Sequence, residues 1–521
     1  MIRTLLAGLV LGGCGTRLPP GDPGRPDILL ISIDSLRPDH LSSYGYTRPT
    51  SPNLDRLAAA GQRYTEARAA SPWTLPSHMT MMTGLWPTEH QVIEDDLSVA
   101  PDVPMLAEAI RSAGYATGGF VSTIYVSGSY GFSRGFDAWD DFGITERDNL
   151  DHPVRAEQLV DRALAWVRSV PEGKPVFLFL HLYDVHYPYL PPGAFNERFD
   201  EAGTQADVAY RKYDHYLKHP VPDARMTHLV AQYDESIAYT DARLGVLFDE
   251  WSARPAYTMV LADHGEEFGE RGSWGHGHTL YAEALRIPLI LSGPGIPSAV
   301  RDERVGTIDV ARTLAAIAGL SWTGDGVDVR GPVTPRPFWA ETSRFDSNRL
   351  SLLEGSFRLD QDIAHNRRTI YDVGNDPAEA QPLGARGGVE AVRMEGALLA
   401  RLGLPWTLDA GSLTVDHGAI LQPGVRPAAL LTVPPTPVPP TPGPLAAAGA
   451  SAPADGAVRF LLWPPDAKLT HSDGRSIHGV LDAPELGPVR YAGPRRMRSL
   501  VLSSETRAQL EALGYQQGNE E

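Results

Sequence analysis

The hydrophobic pattern begins with a short apolar run over residues 28–33, bounded by Pro26 and Asp34. It is rich in branched residues, which is typical of a central strand buried on both faces of a parallel sheet. Similar runs farther along predict more strands, and apolar residues spaced by three and four predict helices between them. The predicted strands are 117–121, 176–182, 257–262 and 287–291, and the predicted helices are 51–61, 105–113, 156–167, 226–251 and 308–318.

Strands that alternate with helices indicate an α/β fold with a mostly parallel central sheet flanked by helices. We place this domain at residues 27–330. Residues 331–425 predict a smaller α+β subdomain, with a hairpin around 352–359 and a strand at 369–372 that ends in a turn. Residues 426–457 are rich in Pro and Ala and indicate an extended linker. Residues 458–521 predict a tail with an edge strand near 458–462 and a final helix.

Composition narrows the possible partners. The chain has 521 residues and a formal net charge of −18, with no basic block. Nucleic acid is excluded as an expected partner, because binding to phosphate backbones needs clustered Lys and Arg. The hydrophobic and charged fractions, 42% and 21%, are ordinary for a globular protein.

The single cysteine, Cys14, follows a short basic start and an apolar stretch of small residues. This stretch is too short to cross a bilayer, and it resembles a bacterial lipoprotein signal, 1–13, with processing before the cysteine. The resemblance implies export, a lipid on Cys14 and anchoring to a membrane of the cell envelope. Residues 14–26 then form a tether rich in Pro and Gly. The plainer alternative is a buried thiol in an ordinary N-terminal segment.

The segment from Trp73 to His78 combines a hydroxyl with a helix start signal. Pro76 and the apolar run after it, which ends at Gly84, predict a helix that begins near Thr74. A helix N-terminus favours an anion, so a hydroxyl there could attack a phosphate or sulfate ester. Taken alone, the segment is better explained by Thr74 acting only as a helix cap.

Clusters of polar residues adjoin the predicted strands at Asp34, 181–186, 263–265 and 274–278. One such residue alone is usually a cap or a satisfied polar group, but in a parallel sheet these clusters converge on one edge. Cleavage of these esters needs charge neutralisation and a strong nucleophile, which a divalent metal supplies. Carboxylate and imidazole suit Mn²⁺, Zn²⁺ or Mg²⁺. We therefore predict a metal site at Asp34, Thr74, Asp263 and His264, with Thr74 as the nucleophile.

Ordered motifs extend over about residues 27–380 and the final helix. They include ILLISIDSLRPDH at 28–40, RPTSPNLD at 48–55, SPWTLPSH at 71–78, DHGE at 263–266 and GHGH at 275–278. Together these motifs resemble the sulfatase family within the alkaline phosphatase superfamily. The resemblance implies the fold of that superfamily, with a smaller C-terminal subdomain, and an ester hydrolase.

The departures from the family pattern bear on the chemistry. Sulfatases carry Cys or Ser at the position of Thr74, where it is converted to formylglycine, and Arg at the position of His78. Threonine would oxidise to a ketone, so no formylglycine is expected. Ser35 replaces a paired acidic residue and His264 replaces an Asn. The resemblance therefore implies a mixed nitrogen and oxygen site that favours Mn²⁺ or Zn²⁺, with Ca²⁺ or Mg²⁺ as alternatives.

The resemblance also implies roles for other side chains. His186 matches the family's histidine for the oxyanion or the leaving group, and His278 lies nearest the position of a substrate-binding lysine. We predict both as catalytic. Substrate contacts are predicted for Arg37, His78, Asp184 and His276. Three of the histidines could instead bind a second metal or protonate the leaving group: His78, His276 and His278. Arg37 could equally pin its own loop.

The leading hypothesis is a lipid-anchored, metal-dependent hydrolase or transferase of phosphate or sulfate esters, with a glycan, a lipid head group or a small ester as substrate. A second hypothesis keeps a sulfate ester as the substrate, cleaved without formylglycine. A third is a binding protein of the cell envelope that keeps the fold without catalysis.

Overall fold

The structure is a computed structural model. It describes residues 18–142, 154–200, 221–345, 349–362 and 367–383, together with Met394 and seven short strands between 406 and 499. The predicted lipoprotein signal with Cys14, nearly all of the linker and the final helix lie outside the described residues. Among the helices that are described, none combines the length and apolar character needed to cross a membrane.

Strand β1 (Asp27–Ile33) is central to the larger sheet, and all seven of its residues are buried. It pairs in parallel with β6 (Val176–Leu182) on one side and with β7 (Ala256–Ala262) on the other. All three strands were predicted, because strands buried on both faces are apolar over their whole length. Their carboxyl ends lie together at one edge of the sheet.

The larger sheet has eight strands in the order β11-β2-β10-β7-β1-β6-β4-β5. The remaining strands of this sheet are β2 (Gln62–Arg68), β4 (Ala116–Val121), β5 (Ala138–Asp140), β10 (Leu289–Ser292) and β11 (Ala299–Gly306). Five of its strand pairs are parallel, whereas β10 runs antiparallel to both of its neighbours, β2 and β7. The expectation of a mostly parallel sheet is confirmed, and β10 is the exception to it.

Helices pack around this sheet in two groups. The described helices are α1 (Pro52–Ala60), α2 (Thr74–Thr83), α3 (Pro87–His90), α4 (Leu106–Ser112), α5 (Ala156–Ser169), α6 (Asp223–Trp251), α7 (Ala282–Leu285) and α8 (Val310–Ile317). Helix α6 packs on α1 and α5, whereas α2, α4 and α8 pack on one another. The five predicted helices correspond to α1, α4, α5, α6 and α8, with ends shifted by up to three residues.

A second, antiparallel sheet follows in the C-terminal part. Its strands are β12 (Phe338–Thr342), β13 (Arg349–Glu354), β14 (Phe357–Asp362) and β15 (Arg367–Asp372), paired in that order. The predicted hairpin and the predicted turn after residue 372 are confirmed, since β13 pairs with β14 and Asn375 N donates to Asp372 O. The sheet is joined to the larger one through Glu341 N, which donates to Ala70 O at 3.0 Å.

Two small pairings complete the described strands near the larger sheet. Strand β3 (Leu97–Val99) pairs with the segment Met497–Ser499 of the tail. Strands β8 (Glu267–Phe268) and β9 (Trp274–Gly275) form a short hairpin in the loop between β7 and β10. This hairpin presents the predicted histidine motif at 275–278.

Candidate active site

Thr74 is the first residue of α2, and it is buried. The residue that caps the helix is Trp73, and the Thr74 hydroxyl points instead to the ends of two strands. Its Oγ1 lies 3.4 Å from Asp34 Oδ2 and 3.4 Å from His264 Nε2. Helix α2 ends as predicted at Gly84, whose left-handed backbone suits a residue without a Cβ.

The two carboxylates of the predicted metal site come from adjacent strands. Asp34 follows β1 and Asp263 follows β7, so the parallel register of the two strands places them side by side. Ser35 fixes this pair: its Oγ donates to Asp34 Oδ1 at 2.8 Å and its backbone N donates to Asp263 Oδ1 at 3.2 Å. His264 Nε2 lies 3.7 Å from Asp34 Oδ1 and 3.4 Å from Asp263 Oδ2.

Several features of these side chains fit a divalent cation. His264 Nδ1 is 2.8 Å from Gly265 O. Since a carbonyl only accepts, Nδ1 carries the proton and Nε2 offers its lone pair to the site. Asp263 Oδ2 is buried and has no hydrogen-bond partner among the described residues. Burial and the neighbouring Asp34 carboxylate raise the pKa of Asp263 well above its usual range. A cation would satisfy the orphan oxygen and offset this repulsion.

Two buried histidines, His78 and His181, lie next to the carboxylates of Asp34 and Asp263. His78, one turn along α2 from Thr74, has Nδ1 2.9 Å from Thr74 O and 3.5 Å from Asp263 Oδ2, while its Nε2 is 2.9 Å from Ser32 Oγ. Burial lowers its pKa well below the usual range, so the ring is neutral. His181, at the end of β6, has Nε2 3.2 Å from Asp34 Oδ2. These contacts hold helix α2 and the two acidic residues in one arrangement.

Burial alone would raise the pKa of Asp34, but the surrounding imidazoles of His186, His181 and His264 lower it below its usual range. Asp34 therefore stays ionised while Asp263 is the carboxylate that resists ionisation in the absence of a cation. This asymmetry is the expected behaviour of two coupled acids that share one site.

His186 and His276 form the other side of the cluster. His186 Nδ1 donates to Tyr187 O at 2.6 Å, and the rings of His186 and His276 are 5.0 Å apart between centroids. The His276 ring lies 4.3 Å from that of His264, and its Nδ1 is 2.9 Å from Glu266 Oε1. Burial lowers the pKa of His186 to about 4 and raises that of Glu266 to about 7.

Three predicted residues have their contacts elsewhere. Arg37 bonds to Glu266 O, Asp39 and Glu270, which fits a role in pinning the loop. His278 Nε2 is 2.6 Å from Ser273 Oγ, and the Glu267 carboxylate, 3.6 Å from Nε2, raises the pKa of the histidine against the effect of burial. Asp184 Oδ2 accepts a hydrogen bond from Ala156 N, the first residue of α5, at 2.7 Å. The catalytic role of His278 and the substrate contacts of Arg37 and Asp184 stay predictions.

Sequence reasoning left His181 and Glu266 without a role. His181 belongs to a cluster that the sequence had singled out, and its partner follows from the register in which Ser32 lies beside His181. Glu266 is fully buried, with Tyr189 OH donating to Oε2 at 3.0 Å and His276 beside Oε1. An acidic residue directly after the DHG motif is the signal that could have drawn attention to it.

Comparison with known proteins identifies the family of the chain. Residues 26–320 match the model of the sulfatase family. The chain is similar to a sulfatase of Formosa agariphila, with 24% identity over 61% of this chain and 74% of the relative, and to the choline-sulfatase of Rhizobium meliloti, with 24% identity over 68% and 82%. The solved phosphonate monoester hydrolase of Agrobacterium radiobacter has a similar fold, with a TM-score of 0.59 and 19% identity over 72% of this chain and 94% of that one. Because the family match covers more than half of the 521 residues, the chain belongs to the sulfatase family of ester hydrolases, within the alkaline phosphatase superfamily.

Proposed function

We propose that the protein cleaves or transfers phosphate or sulfate esters with Thr74 as its nucleophile. The observation that carries the proposal is the position of Thr74 Oγ1, 3.4 Å from both Asp34 Oδ2 and His264 Nε2. A threonine that served only as a helix cap would turn its hydroxyl to the backbone of α2, where Trp73 already occupies the cap position.

The residues that would hold a divalent cation are Asp34, Asp263, His264 and Thr74, with Mn²⁺ or Zn²⁺ as the best match to their atoms. When bound, such a cation supplies a positive charge next to the ester oxygens and lowers the pKa of a coordinated hydroxyl. Formylglycine is not part of this proposal, because oxidation of threonine would give a ketone.

The chain's own groups suggest the following course. Thr74 Oγ1 attacks phosphorus or sulfur, and the bond to the leaving oxygen breaks, which gives an ester of Thr74 and an alcohol. Water then attacks that ester and releases phosphate or sulfate, or an acceptor alcohol takes up the group. Free N–H groups at the start of α2 favour the anionic group beside Thr74.

A proton for the leaving oxygen can come from the Glu266–His276 pair, or from Tyr183 OH by way of His186, whose own ring is neutral near pH 7. Glu266, with its pKa raised to about 7, can hold a proton near neutral pH, and His276 Nδ1 is 2.9 Å from Glu266 Oε1. His186 Nε2 lies 3.3 Å from Tyr183 OH, a second group that can exchange a proton with it. The substrate is expected to be a glycan, a lipid head group or a small ester, and Cys14 is proposed to anchor the exported protein to a membrane.

The experiment is an activity panel of aryl phosphate monoester, phosphate diester, phosphonate and sulfate with purified protein and added Mn²⁺ or Zn²⁺. Thr74→Ala is expected to lose at least ~10³-fold in kcat on the preferred substrate, whereas Thr74→Ser keeps a primary hydroxyl and retains part of the activity. Thr83→Ala is the matched control, since Thr83 lies in the same helix and its Oγ1 donates to Met79 O.

Full activity of Thr74→Ala would show that Thr74 is not the nucleophile. Formylglycine at residue 74 by mass spectrometry would favour ordinary sulfatase chemistry instead. If the wild-type protein cleaves none of the four esters and binds no metal, the alternative of a non-catalytic binding protein stands.

A further inference from the structure

Three arginines gather around one carboxylate beside β11, an edge strand of the larger sheet, and its neighbour β2. Arg68 Nη2 lies 3.4 Å from Glu66 Oε2, and Arg286 Nη2 lies 3.5 Å from Glu66 Oε1. Arg304 is opposite Glu66 in the register of β11 and β2. We call Arg68, Arg286 and Arg304, with Glu66, the arginine cluster. Its three guanidinium groups exceed its one carboxylate by two positive charges.

The cluster holds hydrogen-bond donors that nothing in the described part of the chain accepts. Arg68 is only 5% exposed, and neither its Nε nor its Nη1 has a partner there. The buried Nε atoms of Arg286 and Arg304 also lack partners among the described residues. An unpaired buried donor costs about 1–3 kcal/mol, and more when it is charged. Four such donors in one cluster indicate a missing acceptor.

The charges of the arginine cluster also indicate that a partner is missing. Burial lowers the pKa of Arg68, and the neighbouring Arg286 adds to this effect against the opposing charge of Glu66. Burial together with the charge of Arg68 lowers the pKa of Arg304 to about 10. Glu354 offsets part of the charge of Arg304, and the nearby Arg358 is paired with Glu379 at 2.6 Å. The arginine cluster therefore lacks negative charge as well as acceptor atoms.

We propose that the arginine cluster binds a tetrahedral oxyanion, inorganic phosphate or sulfate. Guanidinium groups donate two parallel hydrogen bonds to such oxygens, which satisfies Nε together with one Nη atom. The divalent charge of these anions matches the charge excess. Arg286 and Glu66 keep 40% and 36% of their side chains exposed, so the anion has a route in from solvent.

This site is distinct from the one at Thr74. The candidate active site lies at the ends of β1, β6 and β7, whereas Arg68 and Arg304 lie on β2 and β11, with β10 between the two groups of strands. Arg286 follows α7, just before β10. Arg304 also reaches the second sheet: its Nη2 donates to Gly355 O at 2.7 Å, in the turn between β13 and β14. A bound anion would thus hold Arg304 in the position that joins the two sheets.

The first test locates the anion. Crystals of the full chain are soaked in tungstate, which has the shape and charge of sulfate and scatters strongly. Tungsten density beside Arg68 and Arg304 is expected in the wild type. The absence of such density, or a carboxylate of the chain itself filling the space, would overturn the proposal.

The second test measures binding in solution with inorganic phosphate and with sulfate, each against chloride at equal ionic strength. We expect both anions to raise the Tm of the wild type, since a ligand of the native state stabilises it. Arg68→Gln and Arg304→Gln are expected to lose at least half of this rise. Arg56→Gln is the control, because Arg56 is an exposed arginine that pairs with Asp249.

The two variants cover the risk that Arg68→Gln fails to fold, because Arg304 is less deeply buried than Arg68. An equal rise in Tm in the variants and in the control would assign the effect to the active site or to the solvent, and the proposal would fail. Tungsten density without any anion-dependent rise in Tm would mean an adventitious ion only, and would also overturn it. The tungstate result and the Tm result do not depend on the ester activity proposed for Thr74. If that activity proves to be absent, both tests of the arginine cluster keep their meaning.

Discussion

Replacing Asp184 by asparagine tests a buried charge next to the candidate active site. Asp184 Oδ2 accepts from Ala156 N at the start of α5, Arg155 Nη1 is 3.8 Å from Oδ1, and Oδ1 itself has no hydrogen-bond partner among the described residues. Its side chain is 3% exposed. Burial raises the pKa of this carboxyl from 3.8 to about 7, because no partner compensates the buried charge fully.

The size of the expected change in stability follows from the linkage between protonation of Asp184 and folding. Between pH 4 and pH 7 the folded chain binds more protons at this carboxyl than the unfolded chain does, so stability falls as the pH rises across that window. At about 1.4 kcal/mol for each pH unit, the full loss above pH 7 is on the order of 4 kcal/mol. Asparagine has the shape of the neutral acid and avoids this loss, so Asp184→Asn should stabilise the protein at pH 8 and have little effect at pH 4.

The assay is urea unfolding of the wild type and Asp184→Asn at pH 4, 6 and 8. We expect the difference between the two proteins to grow with pH in favour of the variant, while KM for the best ester stays unchanged. A variant that is less stable than the wild type at pH 8 would refute the reasoning, because the charge would then stabilise the start of α5. A rise in KM without any change in stability would support the predicted substrate contact instead.

Three further changes have expected outcomes. Asp27→Ala should lower the free energy of unfolding by about 3–5 kcal/mol, because it leaves Arg254 buried without its carboxylate partner. Urea unfolding measures this change, and a loss below about 1 kcal/mol would contradict the prediction. Gly265→Ala should lower metal affinity by about 10–100-fold, because a Cβ there collides with Glu283 O, whereas at Gly331 it meets open space and Gly331→Ala is the control for metal analysis. Chelation should lower the Tm and the activity, because the two buried carboxylates of the predicted metal site would lose their counter-charge, and Mn²⁺ or Zn²⁺ should restore both. An unchanged Tm and an unchanged activity would contradict the predicted metal site.

The strands that the sequence predicted are those buried on both faces. Strand β1 is apolar over its whole length, so its position follows from the chain alone. Strands β2 and β11 were missed, because both mix charged with apolar residues, and β11 is also an edge strand of the larger sheet. The direction of β10 also escaped prediction: an apolar run has the same appearance whether its neighbours are parallel or antiparallel, and only the paired register distinguishes the two.

The sequence predicted those residues of the candidate site that lie at the end of a strand or at the start of a helix. Asp34 and Asp263 directly follow β1 and β7, and Thr74 begins α2. His264 comes next after Asp263, and adjacent strands bring the four residues together. The orientation of His278 could not be predicted in this way. The direction of the His278 side chain depends on the short hairpin of β8 and β9, which holds the loop. The spacing of residues in the sequence does not reveal the geometry of that hairpin.

The reversed direction of β10 has a consequence for how the site can change. Leu289, the first residue of β10, lies beside Leu261 near the end of β7, so the chain between them leaves the sheet and returns at the same edge. Residues 263–288 thus form a hairpin connection instead of a crossover, although they carry His264, His276 and Glu266. Such a loop can change in length without reversing the order or direction of the strands, as long as its contacts with β2 are kept, such as that of Ile287 N with Ala67 O. That makes its outer part a suitable segment for engineering a new ester preference.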